Sequence, residues 1–281
     1  MLEKLKYVES RWSLKNIDVI YQYAKRAVFS AESETLGPVI IKMNDHHSVL
    51  KTEYEMLKKL NGEQSCKVYD FEEEKGILVE EWIVPGSVLR EEKSLEKRIR
   101  AFHQVFRKIH SPAEDGETYL NWLENICKFC NENQVSEEII KKARLAHSFC
   151  GELFEKYPER VLLHGDLHHD NLLLSEDGSY VMIDPKGVIG PTILDLPRYI
   201  MNEIHEDLII GNAEEHIENV IRLISEECSY DREDVSKAVF MEIILGDVWC
   251  IEDGEEIDEE QMAVAEHILL KIYGVPDRGE V

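Results

Sequence analysis

The chain has 281 residues, 43% of them apolar, enough for a sizeable core in one large or two medium domains. Its 57 acidic against 32 basic residues leave a net charge of -25, which excludes the basic face that nucleic acid or an anionic membrane surface requires. No uncharged run reaches eighteen residues, the start has no apolar stretch of signal-peptide length, and six scattered cysteines make no disulfide framework, so the expected setting is the cytoplasm.

The amino-terminal third reads as a small sheet with one helix. Residues 17–23 and 27–31 have strand composition, and 39–43 (VIIKM) form a short buried strand after a turn at 34–38. Lys42 lies at the end of that β-branched run, where an ammonium needs either water or a carboxylate partner. The helix expected over 48–60 sets Leu50, Leu57 and Leu60 on one face and brings Glu53 within reach of Lys42, while Glu55 faces elsewhere. Residues 67–71 and 77–81 are two more strands about a turn at 74–76, and Pro85 with Gly86 breaks regular structure after them. The connection at 22–27 contains no glycine; Lys25 and Arg26 are the cations there.

Residues 95–110 carry a helical stripe of Leu95, Ile99, Phe102, Val105, Phe106 and Ile109, stopped by Ser111 and Pro112. Helices over 119–132 and 136–156 follow, the second with Ser136 as its N-cap. Cys127 and Cys130 form a single CxxC with no second pair at zinc-ribbon distance and read as helix surface and end.

The chemistry is concentrated in VLLHGDLHHDNLLLSEDGSYVMIDPKGVIG, residues 161–190. Apolar runs at 172–174 and 180–183 about Asp177 and Gly178 read as a hairpin, with a loop of His and Asp before it and a second loop after it. Magnesium takes hard oxygen ligands, commonly one or two carboxylates beside substrate phosphates, and Asn171 with Asp184 can supply them. Asp166 is then the carboxylate free to orient an attacking hydroxyl and accept its proton. HxDxxxxN followed by a strand-borne Asp is the catalytic-loop spacing of kinases, with Asp184-Pro185-Lys186-Gly187 where protein kinases carry DFG. The same His and Asp density would also suit a dinuclear metal centre, but that needs imidazoles from other loops, and His205, His216 and His267 fall in helical surroundings. Beyond it a helix restarts over 194–204, and three amphipathic helices are expected near 213–227, 232–251 and 259–273. Between the last two lie Glu252, Asp253, Glu255, Glu256 and Asp258.

The strings HGDLHHDN and IDPKG resemble the aminoglycoside phosphotransferase family of small-molecule kinases. IDPKGVIG, Asp195 in LDLPRY and the later WCIEDGEE are most similar to its streptomycin and hydroxyurea kinase branch, and the likeness runs, thinly in places, from about Lys15 to about Leu270. The resemblance implies an α+β, bilobal protein-kinase-like fold: a small antiparallel-sheet nucleotide lobe over 1–84 and a mostly helical lobe over 85–281 with the catalytic loop and acceptor site. It implies Asp166 as the catalytic residue and Asn171 and Asp184 as holders of Mg2+. It also implies ATP, with GTP as the alternative, bound by Lys42 paired to Glu53 and by backbone at Glu81, Trp82 and Ile83. The Trp82 indole is expected to pack, not to stack on the base. Asp195 is expected to support the catalytic loop through backbone hydrogen bonds, and acceptor-binding carboxylates are expected on the carboxy-terminal helices and their connections. The GxGxxG of protein kinases is missing. The partner implied is a small molecule with a hydroxyl, an aminoglycoside-type antibiotic first; hydroxyurea, choline, a sugar or an amino-alcohol are alternatives, and a nucleotide-binding pseudoenzyme is a further one.

Overall fold

The computed structural model describes residues 2–133, 135–204 and 212–273. It begins with a helix that the sequence reading left unassigned, α1 (Leu2–Arg11), whose Leu5 and Val8, with Trp12 just beyond, follow the spacing of one helix face. Five strands follow in antiparallel order β1-β2-β3-β5-β4: β1 (Leu14–Gln22), β2 (Arg26–Ser33), β3 (Gly37–Asn44), β4 (Val68–Glu72) and β5 (Ile77–Glu81). Helix α2 (His47–Leu60) sits between β3 and β4 in the chain.

Strand alternation divides the labour of this sheet. Ala27, Phe29 and Ala31 of β2, Val39, Ile41 and Met43 of β3, and Ile77 and Val79 of β5 pack together with Val8 and Trp12. The intervening residues point the other way, and the register Val28↔Lys42↔Leu78 sets Lys42 in the middle of that second face. One face buries a core; the other presents a charge.

After the sheet, Pro85 and Gly86 do not end regular structure as expected but lie in a short strand, β6 (Pro85–Val88), which pairs with a strand of the hairpin at 172–182. The rest is mainly helical: α3 (Leu95–Ile109), α4 (Tyr119–Glu132), α5 (Glu137–Lys156), α6 (Leu196–Met201), α7 (Ala213–Cys228), α8 (Arg232–Asp253) and α9 (Glu259–Tyr273). Five short strands complete it: β7 (Ser111–Pro112), β8 (Val161–Leu163), β9 (Leu172–Ser175), β10 (Tyr180–Met182) and β11 (Val188–Gly190). The Ser136 hydroxyl accepts from the Ile139 N–H at the start of α5, as its N-cap assignment requires.

Three expectations need correction. The helix placed at 194–204 is α6 alone, preceded by a 3-10 turn at Thr192–Asp195, with Pro197 in its first turn. Helix α8 is not amphipathic: Val235, Val239, Phe240, Ile243, Ile244, Leu245 and Val248 are buried right round it, because it runs through the middle of the helical lobe. Cys130 lies in the core and not on the helix surface. The fold is α+β in two lobes, and among the described residues no helix is long and apolar enough to cross a membrane.

Candidate active site

Two strand pairings bring the chemistry together. β9 and β10 form the expected hairpin, Leu172 opposite Met182, while β8 pairs with β11, Leu163 opposite Val188. The loop that leaves β8 at His164 and the loop that follows β10 at Ile183 therefore lie side by side. Asp184 has a left-handed backbone, φ 59°, a strained state for a residue with a side chain and one that collects at functional sites. Gly165, at φ 73°, could not carry a Cβ without coming within 2.9 Å of Val188 Cγ1.

Buried hydrogen bonds fix the first loop. Asp195 Oδ1 accepts from the Gly165 N–H at 2.7 Å, and Oδ2 accepts from the His164 N–H at 2.8 Å and lies 2.9 Å from His110 Nε2. His164 Nδ1 accepts from the Asp166 N–H at 3.2 Å, so its Nε2–H donates to the Ile183 carbonyl at 2.9 Å and ties the two loops together. Burial pushes the His164 pKa down to about 4, so the ring is neutral at pH 7. His169 is also structural: its Nε2 is 2.9 Å from Glu203 Oε1 and its ring stacks on Tyr199. Glu203 is gripped in turn by Arg98, at 2.9 and 2.6 Å. His164 and His169 each spend Nε2 on a protein partner, and His168 Nδ1 accepts from the Asp170 N–H at 3.2 Å, which speaks against the dinuclear-metal alternative. Of the downstream histidines it would need, His216 and His267 lie on α7 and α9, and His205 falls outside the described residues.

Asp166 is flanked by two cations, Lys186 Nζ at 3.2 Å and Arg198 Nε at 3.4 Å. Burial works against its charge, but Lys186 and Arg198 outweigh burial and hold the carboxyl below the ordinary carboxylate range. Arg198 is itself anchored by Glu242 of α8 at 2.6 Å, and Glu242 accepts from the Tyr119 hydroxyl. Asn171 donates its side-chain N–H to the Asp166 carbonyl at 2.8 Å, which leaves its Oδ1 as a hard oxygen donor.

Across the cleft, Lys42 is buried among three carboxylates: Glu53 at 2.6 Å, Glu80 at 2.8 Å and Asp184 in direct contact. Burial opposes the ammonium charge, yet Glu53 and Glu80 more than offset it and raise its pKa. Burial lifts the Glu80 carboxyl to about 7 against the pull of Lys42. Oxygens of Glu53, Glu80 and Asp184 lie within 4.8 Å of one another, but the cation at their centre is Lys42 itself. Asn171 and Asp184 suit magnesium by their donors, an amide oxygen and a carboxylate whose side chain is 38% exposed. At the junction of the lobes the Glu81 N–H donates to Lys67 and the Trp82 N–H to Pro38. The Ile83 N–H makes no backbone hydrogen bond among the described residues. Trp82 does not pack as expected: it is 41% exposed, because the chain leaves the sheet at Glu81.

Beside Asp166 opens a cavity of about 540 Å³, lined among others by Glu55, Asp115, Glu117, Trp122 and Trp249. The two indoles meet edge to face, 5.6 Å between centroids. None of the acidic residues from Glu252 to Asp258 is in its wall; the carboxylates come from α2 and from the connection before α4.

Residues 11–254 match the family described as aminoglycoside/hydroxyurea antibiotic resistance kinase. The chain belongs to that kinase family. Streptomycin 6-kinase from Streptomyces griseus is 30% identical to this family member over 120 residues, 42% of this chain, and the match spans only 39% of that curated relative. Choline kinase LicA from Streptococcus pneumoniae superposes with a TM-score of 0.69 at 17% identity, covering 96% of this chain and 98% of that one. A thermostable mutant of aminoglycoside phosphotransferase APH(4)-Ia, solved as a ternary complex with ADP and hygromycin B, gives 0.66 at 10% identity with 96% and 98% covered. At these identities the likeness shows the fold, which is the protein-kinase-like one expected.

Sequence reasoning about this chain missed Glu80, Arg198 and Glu242. Glu80 was within reach of it, since alternation along ILVEE puts Leu78 and Glu80 on the Lys42 face. Arg198 and Glu242 carried no local signal, because their link to Asp166 depends on where α6 and α8 pack.

Proposed function

We propose that this chain is an ATP- and magnesium-dependent phosphotransferase that moves the γ-phosphoryl group to a hydroxyl of a small molecule, with an aminoglycoside-type antibiotic as the leading acceptor. The observation that supports it best is the place of Asp166, ionised and in the wall of a cavity large enough for a small molecule, on the loop that also carries Asn171 and runs beside Asp184.

In this reading residues 1–84 hold the nucleotide and 85–281 hold the catalytic loop and acceptor, in a cytoplasmic enzyme. Lys42, kept in place by Glu53 and Glu80, binds the α- and β-phosphates. Ile83 N–H and the carbonyl side of Glu81 face the adenine edge. Asn171 Oδ1 and the Asp184 carboxylate hold magnesium, whose charge offsets that of the phosphates. Asp166 accepts a hydrogen bond from the acceptor hydroxyl. As that oxygen bonds to the γ-phosphorus and the bond to the β-phosphate oxygen breaks, Asp166 takes the proton and ADP leaves. Lys186 and Arg198 keep Asp166 a weak base, which suits a loose transition state in which positioning matters more than early deprotonation. Glu55, Asp115 and Glu117 suit the ammonium groups of an aminoglycoside.

A second reading, a choline-like acceptor, is favoured by the Trp122 and Trp249 faces, which suit a quaternary ammonium. The test is acceptor-dependent ADP release with magnesium and ATP or GTP across aminoglycosides (streptomycin first), hydroxyurea, choline and simple sugars, with Asp166→Ala as blank. Turnover with one acceptor in the wild type alone supports the reading and names the substrate. Absence of ATP binding would overturn it.

A further inference from the structure

We propose that Arg26, packed against Tyr21 and Tyr23 at the tip of the β1–β2 hairpin, binds the β- and γ-phosphates of the nucleotide and does the work of the missing glycine-rich loop. This rests on the phosphotransferase reading above and adds a ligand to it.

A small cavity of about 120 Å³ lies under the hairpin, lined by Tyr21, Arg26, Lys42, Glu53, Asp184 and Lys186 among others. It is the space next to the Lys42 ammonium where phosphates would sit. Three cations face it, and two are already engaged: Lys42 by Glu53, Glu80 and Asp184, and Lys186 by Asp166 at 3.2 Å. Arg26 has no carboxylate partner among the described residues. Its neighbours are rings, with the guanidinium carbon 5.9 Å from the Tyr21 centroid and 5.1 Å from that of Tyr23. The rings are exposed, Tyr21 at 38% and Tyr23 at 62%, so they favour this place for the guanidinium without fixing it, and they leave its N–H fork unspent.

The backbone of the hairpin is poorly suited to the task. The Tyr23 N–H is taken by the Arg26 carbonyl at 2.8 Å, and the Lys25 carbonyl accepts from Asp45 at 2.9 Å. With no glycine at 22–27 and the Tyr23 N–H already spent, the turn is a poor nest of amides, and a phosphate beneath it meets the Arg26 side chain. A planar fork matches two phosphate oxygens at once. The carboxylates around Lys42 outnumber its charge, so a triphosphate entering this cavity gains from a further cation. Lys25, one residue earlier, does not line the cavity and serves as the internal control.

The experiment measures binding of magnesium with ATP, and separately of AMP, to the full-length protein, together with KM for ATP under whichever acceptor gives turnover. Arg26→Gln should weaken ATP by ten- to a hundredfold, the range of one charge-assisted contact, and leave AMP within twofold. Arg26→Lys should recover part of the loss, and Lys25→Gln should match wild type. A melting curve checks that each variant is folded. The proposal is overturned if Arg26→Gln binds ATP within twofold of wild type, or if AMP weakens as much as ATP. If wild type itself binds no ATP, the phosphotransferase reading fails first, and this inference falls with it.

Discussion

Asp195 offers a sharp test of how the catalytic loop is held. Its carboxylate is 1% exposed and accepts from two backbone N–H groups, those of His164 and Gly165, at 2.8 and 2.7 Å. Hydrogen bonds to a charged group contribute about 1.5–3 kcal/mol each, and a buried N–H left without an acceptor costs a similar amount. Asp195→Ala orphans both donors and should lower stability by about 3–6 kcal/mol. Asp195→Asn keeps one acceptor oxygen and should cost roughly half as much. The same bonds set the position of Asp166 two residues on, and a misplacement of about 1 Å costs on the order of a hundredfold in rate. Urea unfolding gives the stabilities, and kcat at saturating ATP and acceptor gives the rate. A destabilised Asp195→Asn variant with wild-type kcat would refute the idea that these bonds position the base. Equal stabilities for the two variants would refute the hydrogen-bond arithmetic.

His164 should leave a mark on acid stability. Its folded pKa is depressed by burial from 6.5 to about 4, so its contribution is present above pH 6.5 and is lost as the pH falls toward 4, in all about 3 kcal/mol. His164→Asn should flatten unfolding free energy against pH across that window, and an unchanged slope would count against it. Glu203 is 0% exposed and pairs with Arg98 through two bonds, so Glu203→Gln, which leaves a buried guanidinium uncompensated, should cost about 3–5 kcal/mol by denaturant titration. In turnover assays Asp166→Ala should lose several orders of magnitude in kcat, and Lys42→Ala about ten- to a thousandfold with a raised KM for ATP. The reverse ranking would argue against Asp166 as the proton acceptor.

Local order was easy to read along this chain and distant pairing was not. The alternation of VIIKM and the helix with Leu50, Leu57 and Leu60 located Lys42 and Glu53, and their ion pair is present. Asp166, Asn171 and Asp184 were picked out by spacing, and the structure sets their loops together. The β8–β11 pairing that does so was missed, since strands of three residues have no period to detect. Helix α1 had a usable signal in Leu5, Val8 and Trp12 but is short and highly charged. The resemblance implied acceptor-binding carboxylates on the carboxy-terminal helices and their connections; the cavity beside Asp166 is lined instead by Glu55, Asp115 and Glu117, which no local pattern in the sequence marks out.

The Lys42 cluster also bears on how the molecule assembles. Glu53 is 11 positions from the lysine, whereas Asp184 is 142 positions away. The catalytic and DPKG loops close on each other within residues 161–190, a local event of low contact order, but their junction with Lys42 is among the longest-range links in the chain. During synthesis the amino-terminal sheet can enclose its ammonium with Glu53 and Glu80 long before Asp184 exists. Glu53 alone matches the lysine's charge, so the amino-terminal sheet can fold with its ammonium paired, while the contact that completes the cleft spans a far longer reach of chain.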